Sequence, residues 1–186
     1  MSWRVIQGDA RERIWELEPN SVDMVMTSPP YYGLRDYGCA EQIGLEASPE
    51  EYIEQLLLVF DGVARALKPT GTCWVNIGDT YYGGGQGHKP SNKSIYASRD
   101  RIPDRPGRNG TRRRDGWKRR KQLLNIPARF SIAMQERGWI LRSRVIWHKP
   151  NAMTESAQDR PSRDYEDVFL FSKRERYYWD REAVRQ

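Results

Sequence analysis

The 186 residues predict an α/β fold: a parallel sheet with helices on its faces, closed by a terminal antiparallel hairpin. Three observations carry that reading. Strand and helix patterns alternate three times along the chain. The segment Val22–Thr27 is apolar on both faces around Met24, Val25 and Met26, as a buried parallel strand is. The last two strand patterns follow one another with no helical pattern between them.

Taken in order, Trp3–Gln7 reads as a short strand ending at Gly8-Asp9. A helix is expected from Ala10 to about Leu17, with Asp9 as N-cap and Glu12 at capping-box spacing. Pro19-Asn20 stops it, and Val22–Thr27 is the second strand. Ser48-Pro49-Glu50-Glu51 combines an N-cap, an N1 proline and an acidic first turn. The helix it starts keeps Tyr52, Leu56, Val59, Phe60, Val63 and Leu67 on one stripe. Pro69-Thr70-Gly71 is expected to end that helix, and Thr72–Ile77 is the third strand. Ile126 and Pro127 open another helix, which Gly138 closes as the left-handed C′ residue. Ile140–Trp147 and Val168–Phe171 complete the sheet.

Composition narrows the class. Hydrophobic residues make 38% and charged residues 30% of the chain, with mean hydropathy −0.86. No apolar run approaches the roughly 18 residues of a membrane span, and the N-terminus lacks the apolar core of a secretion signal. Cys39 and Cys73 are too few for a disulfide scaffold or a cysteine zinc site, and no metal is expected. The expectation is one soluble cytoplasmic domain over residues 1–186, interrupted by an insertion at about 83–122.

That insertion holds the charge. The chain carries +6, yet residues 83–122 contain 13 basic residues against three acids, leaving the remainder net acidic. The segment is also rich in glycine and proline, so it reads as a long loop. Arg112, Arg113 and Arg114, followed by Lys118, Arg119, Arg120 and Lys121, are candidates to neutralise phosphates of a nucleic acid. The alternative is a solvated linker, but solubility alone does not need the charge concentrated.

In such sheets a ligand sits beyond the carboxyl ends of the strands. The residues there are Gly8-Asp9, Ser28-Pro29-Pro30-Tyr31, Gly78-Asp79-Thr80 and His148-Lys149-Pro150-Asn151. The second group is the most specific. Two prolines stiffen the turn and remove two donors. A serine hydroxyl, proline carbonyls and a tyrosine ring in one rigid corner suit a planar amine, with oxygens accepting its hydrogens. Pro29-Pro30-Tyr31-Tyr32 also fits a ligand for a WW-type domain, but that needs an exposed extended peptide rather than the end of a strand. Asp9 serves either as helix cap or as ligand, and Asp79 either as turn residue or as ligand. Trp147 and His148 read either as core or as a platform on which a base stacks. His88 lies in the basic loop with no visible partner.

Val22-Asp23-Met24-Val25-Met26-Thr27-Ser28-Pro29-Pro30-Tyr31, continuing through Tyr32-Gly33-Leu34-Arg35-Asp36-Tyr37-Gly38, resembles the catalytic motif of beta-class amino-group DNA methyltransferases. The likeness extends through Ala66–Gly71, Asn76–Tyr81, Val145–Asn151 and Asp159-Arg160-Pro161, in the family's order. The resemblance implies a Rossmann-like S-adenosylmethionine-dependent methyltransferase fold. It also implies methyl transfer to cytosine N4 or adenine N6 of double-stranded DNA, in a restriction-modification or phage-type setting. The target base would be flipped out of the duplex. Ser28 and the Pro29 carbonyl would accept the amine's hydrogens and localise its lone pair, Pro30 would hold the corner, and Tyr31 would stack on the base. Ser28 in place of the aspartate common in adenine enzymes favours cytosine N4. Asp9 would bind the adenine of the cofactor.

The family's Phe-x-Gly-x-Gly cofactor motif, its acidic ribose-binding strand end and its usual target-recognition region do not occur in these residues. In the family's sheet two further strands lie between Trp3–Gln7 and Val22–Thr27. The expectation is therefore an incomplete sheet, completed by a second polypeptide or a further C-terminal half. The competing reading is a non-catalytic methyltransferase half that binds DNA through its basic loop.

Overall fold

The computed structural model describes residues 3–39, 41–82, 118–119, 121–152 and 157–185. Arg112, Arg113, Arg114 and Arg120 of the basic stretch, and His88, lie outside them.

The elements begin where their capping chemistry places them. Asp9 caps α1 (Ala10–Arg13), its Oδ1 accepting from the Arg11 amide at 2.8 Å. The helix is shorter than expected. It tightens into a 3₁₀ turn over Ile14–Glu16, and Leu17 is already extended. Ser48 caps α2 (Pro49–Ala66) through the Glu51 amide at 3.2 Å, with Pro49 in the first turn. A distant side chain starts α3 (Ile126–Glu136): Asp79 Oδ1 accepts from the Ile126 amide at 3.0 Å. At its other end Gly138 adopts φ +89°. The Gly138 and Trp139 amides donate to the Gln135 and Met134 carbonyls, a Schellman ending.

The strands are β1 (Val22–Thr27), β2 (Leu67–Ile77), β3 (Ile140–His148) and β4 (Tyr165–Ser172), in spatial order β1-β2-β4-β3. β1 and β2 are parallel, and β4 runs antiparallel to both β2 and β3. Only β4 is reversed, so the sheet is parallel apart from a closing hairpin, as expected.

Three expectations are corrected. Trp3–Gln7 is not a strand; Val5 is 78% exposed and the segment pairs with no strand among the described residues. A strand exists only through a neighbour's hydrogen bonds, and none is described there. Met24 and Met26 are exposed, Met26 at 71%, because they lie on the sheet face that no described helix covers, while Val22 and Val25 pack on the core. Lastly, Pro69-Thr70-Gly71 does not end α2. The helix stops at Ala66, and residues 68–71 bulge out of β2, since Val22 pairs with Leu67 but Met24 with Thr72. A bulge tolerates the proline that a regular ladder would not. Gly71 is needed there, because a Cβ would stand 2.8 Å from the Asp23 carbonyl oxygen.

The core lies between one sheet face and α2 with α3. Phe130 is fully buried, its ring 5.2 Å from that of Phe60 and 6.1 Å from that of Phe171. Phe130→Ala is expected to lower unfolding stability by about 3–4 kcal/mol through lost transfer energy and a cavity. Urea denaturation reads this out, and an unchanged midpoint would contradict the packing. By strand alternation, Met24, Met26, Trp74, Asn76, Val145, Trp147 and Glu166 share the opposite face. Much of it is bare; Met24 and Trp147 are each 53% exposed.

Candidate active site

The corner at the end of β1 meets β2 and β4 at one rim. Ser28 is exposed, and its Oγ lies 3.3 Å from Tyr31 Oη and 3.4 Å from Asn76 Oδ1. The half-buried Tyr31 turns its one hydroxyl hydrogen inward, where two acceptors compete for it, Asn76 Oδ1 at 2.8 Å and Glu166 Oε2 at 3.0 Å. Burial, reinforced by Glu166, pushes its phenol up to about 12, so it stays neutral at any physiological pH. Asn76 donates in turn to the Asp167 carbonyl at 3.2 Å, which fixes its amide.

The corner's backbone is clamped. The Tyr52 hydroxyl donates to the Pro30 carbonyl at 2.9 Å, and no described residue donates to the Pro29 carbonyl. Gly33 donates to the Gly44 carbonyl at 2.7 Å, and Gly44, at φ +107°, lets its chain pass within 3.1 Å (as Cβ) of the Tyr31 carbonyl. The Tyr31 ring lies on Gly78, where a Cβ would be 2.5 Å from Cε2. One ring face is thus occupied by backbone.

Glu166 is the carboxylate of the cluster. Lys149 pairs with its Oε1 and Tyr31 with its Oε2. Burial alone raises its pKa, but hydrogen bonds from Lys149, Tyr31 and Asn76 outweigh that and hold it below the ordinary glutamate value. Lys149 Nζ also lies 5.3 Å from the Trp147 ring centre. Trp147 and Glu166 are direct cross-strand partners, so the structure brings Trp147 to the cluster. His148 instead reaches Asp164 at 3.4 Å.

The other candidates lie apart from this cluster. Both Asp9 oxygens accept from Arg11, which also holds Gln55 and the Glu41 carbonyl. Hydrogen bonding from Arg11 lowers the Asp9 pKa, and the carboxylate stays about a third exposed (34%). Asp79 is buried as a cap, accepting from the Thr80 and Ile126 amides beside Arg163; burial raises its pKa. Lys118 pairs with Glu50 at 2.9 Å and Lys121 with Asp159, while Arg119 offers its carbonyl to Gln122. No cluster able to hold a metal ion occurs among the described residues, and no helix there is long and apolar enough to cross a membrane.

Sequence reasoning missed Glu166. Looking beyond the carboxyl ends of strands finds Ser28, Tyr31 and Lys149 but not Asn76, which lies within β2, and β4 runs the other way and brings its N-terminal end to the same rim. Reading the hairpin's direction first exposes Tyr165-Glu166-Asp167 as rim residues.

Comparison with known proteins places the chain in a family. Type II methyltransferase M.Cfr9I of Citrobacter freundii is 45% identical over 98% of the chain, which covers 58% of that relative. M.SmaI of Serratia marcescens is 43% identical over 100% of the chain and 61% of its own length. The chain thus spans about three-fifths of these relatives. Among solved structures, the cytosine-N4-specific PvuII DNA methyltransferase shares the fold at a TM-score of 0.66 and 21% identity, over 96% of this chain and 51% of that one. A Thermus thermophilus protein complexed with S-adenosyl-L-methionine aligns at 0.58 and 21% identity, over 96% and 58%. The N6/N4 methyltransferase family, described as DNA methylase, matches residues 22–186, and the chain belongs to it.

Proposed function

We propose that this chain carries the target-base half of a site-specific DNA methyltransferase, acting on an exocyclic amine and cytosine N4 in particular. The observation that carries it is the rim cluster: an exposed serine hydroxyl beside a proline carbonyl to which no described residue donates, on a clamped corner. Membership of the DNA methylase family supports the reaction class, and Ser28 rather than an aspartate in the motif supports cytosine. The relatives are Type II methyltransferases, which supports a restriction-modification role.

The residues present suit S-adenosylmethionine in part. Asp9 is a partly exposed carboxylate held rigid by Arg11, and it would accept from the adenine amine. No Phe-x-Gly-x-Gly sequence for the methionine end occurs in these residues. The edge position of β1 among the described strands, the bare Met24 and Met26, and the greater length of the relatives support a further polypeptide stretch that adds strands and that motif. When bound, the cofactor supplies an electrophilic methyl group on sulfur.

The chain's own residues position the nucleophile. Double-stranded DNA would be held by Arg112, Arg113, Arg114, Lys118, Arg119, Arg120 and Lys121 in the 83–122 insertion. A flipped base would enter beside Ser28, at an unstacking cost of roughly a few kcal/mol. Its amine would donate to Ser28 Oγ and to the Pro29 carbonyl, drawing the nitrogen lone pair out of the ring. Trp147 would flank the base. Amine methylation needs no covalent adduct with a cysteine, and Cys73 is buried, its thiol pushed up to about 12 by that burial.

A tritium-transfer assay tests this, using the chain alone and with a polypeptide carrying the glycine motif. Transfer to cytosine-containing duplex only in the completed protein is the expected result. DNA binding with no transfer in either case would favour a non-catalytic DNA-binding half.

A further inference from the structure

The methylated nitrogen must shed a proton, and the rim cluster holds a group able to receive it. We propose that Glu166 is the proton's destination, reached from the base through Ser28 and Tyr31; this rests on the reading of Ser28 as the amine's acceptor.

The direction of the hydrogen bonds argues for it. An ionised carboxylate only accepts, so Glu166 Oε2, 3.0 Å away, draws the Tyr31 hydrogen toward itself. Tyr31 Oη is then an acceptor for the Ser28 hydrogen at 3.3 Å. Ser28 is exposed, so its oxygen is open to the amine. With both hydrogens so turned, the path is polarised from base to carboxylate. Asn76, although 2.8 Å from the phenol, is an amide with no useful proton affinity.

Atoms and charge balance. The nitrogen–carbon bond to the methyl group forms as the carbon–sulfur bond breaks, its electron pair staying on sulfur. The amine N–H proton passes to Ser28 Oγ, the serine proton to Tyr31 Oη, and the phenol proton to Glu166 Oε2. A sulfonium and a carboxylate become a thioether and a carboxylic acid. The high pKa of the phenol means that it hands on a proton without resting as a phenolate. Lys149, on the other carboxylate oxygen, keeps Glu166 ionised until the proton arrives. Glu166 acts through two other residues, so it positions and drains rather than touches the base.

Glu166→Gln is the test, because glutamine keeps the shape and still accepts from Tyr31 while losing the proton affinity. In the completed methyltransferase, single-turnover transfer is expected to fall about 100-fold, within the range for general bases. Binding of DNA and of S-adenosylmethionine should stay within about twofold, and Glu166→Asp should recover part of the rate. In the unloaded chain, the Tyr31 carbon-13 ζ resonance, assigned by its loss in Tyr31→Phe, should move in Glu166→Gln. Wild-type-like turnover in Glu166→Gln with Ser28→Ala still inactive would overturn the proton path and leave the methyltransferase reading intact. An unmoved Tyr31 resonance would overturn it as well. Absence of transfer by the wild type in the completed protein would sink both.

Discussion

Ser28→Ala is expected to reduce methyl transfer about a thousandfold and leave the fold unchanged. The two halves of that statement have separate origins. Ser28 is exposed, and its contacts to Tyr31 and Asn76, at 3.3 and 3.4 Å, are long for hydroxyl hydrogen bonds. Losing them costs little stability. The stronger bonds of the cluster, from Tyr31 to Asn76 and Glu166, do not involve Ser28. Its hydroxyl is nevertheless the group at which the amine's charge would develop, and removing one preorganised partner there typically costs about 100- to 1000-fold. It is also the first step of the proton path, so both effects fall on one substitution. Single-turnover transfer with duplex oligonucleotides, set beside the urea midpoint, reads both. Equal loss of rate and stability would mean that Ser28 is structural; an unchanged rate would remove it from the reaction.

Much of this architecture is legible in the residues. Ser48-Pro49-Glu50-Glu51 announces α2, and Gly138 announces the end of α3, because caps satisfy local backbone groups and need no distant partner. The serine–proline–proline–tyrosine corner is legible for the same reason. What is not legible depends on neighbours. The bulge at residues 68–71 exists because Gly71 packs on Asp23 of another strand. The apolar run Met24-Val25-Met26 reads as fully buried, yet the described helices cover one face of the sheet only. Residues 3–7 have strand composition without a described strand to pair with. Asp79 caps a helix 47 positions further on, beyond the basic segment. Glu166 becomes a rim residue because β4 begins at Tyr165, three residues before the expected strand Val168–Phe171; the extra length comes from pairing with Trp147 and His148, which composition alone does not reveal.

Gly78→Ala is expected to lower transfer by about two to three orders of magnitude, by displacing Tyr31 rather than by straining its own backbone. Gly78 does not adopt a left-handed conformation, so alanine suits its dihedrals. The obstacle is space. A Cβ would stand 2.5 Å from Tyr31 Cε2 and 2.6 Å from Cδ2, well inside contact distance. The Tyr31 backbone cannot give way easily, since the Leu34 amide donates to its carbonyl at 3.2 Å and Tyr52 ties down the preceding proline. The ring must therefore swing, and its hydroxyl leaves Asn76 and Glu166 together. The loss should be at least that of Glu166→Gln, because the corner is misplaced as well as cut off from its carboxylate, and an ångström of misplacement alone can cost about 100-fold. Gly71→Ala is the control. Its Cβ would meet Leu67 Cδ1 at 2.7 Å and the Asp23 carbonyl at 2.8 Å, distant from the rim, so it should cost about 1–3 kcal/mol of stability while the folded fraction keeps its rate. Opposite responses of the two glycines, read by urea midpoint and single-turnover rate, separate a corner that orients a nucleophile from one that only holds the sheet together. A Gly78→Ala protein with wild-type turnover and a displaced Tyr31 ring would show that the phenol's inward bonds play no part in the reaction.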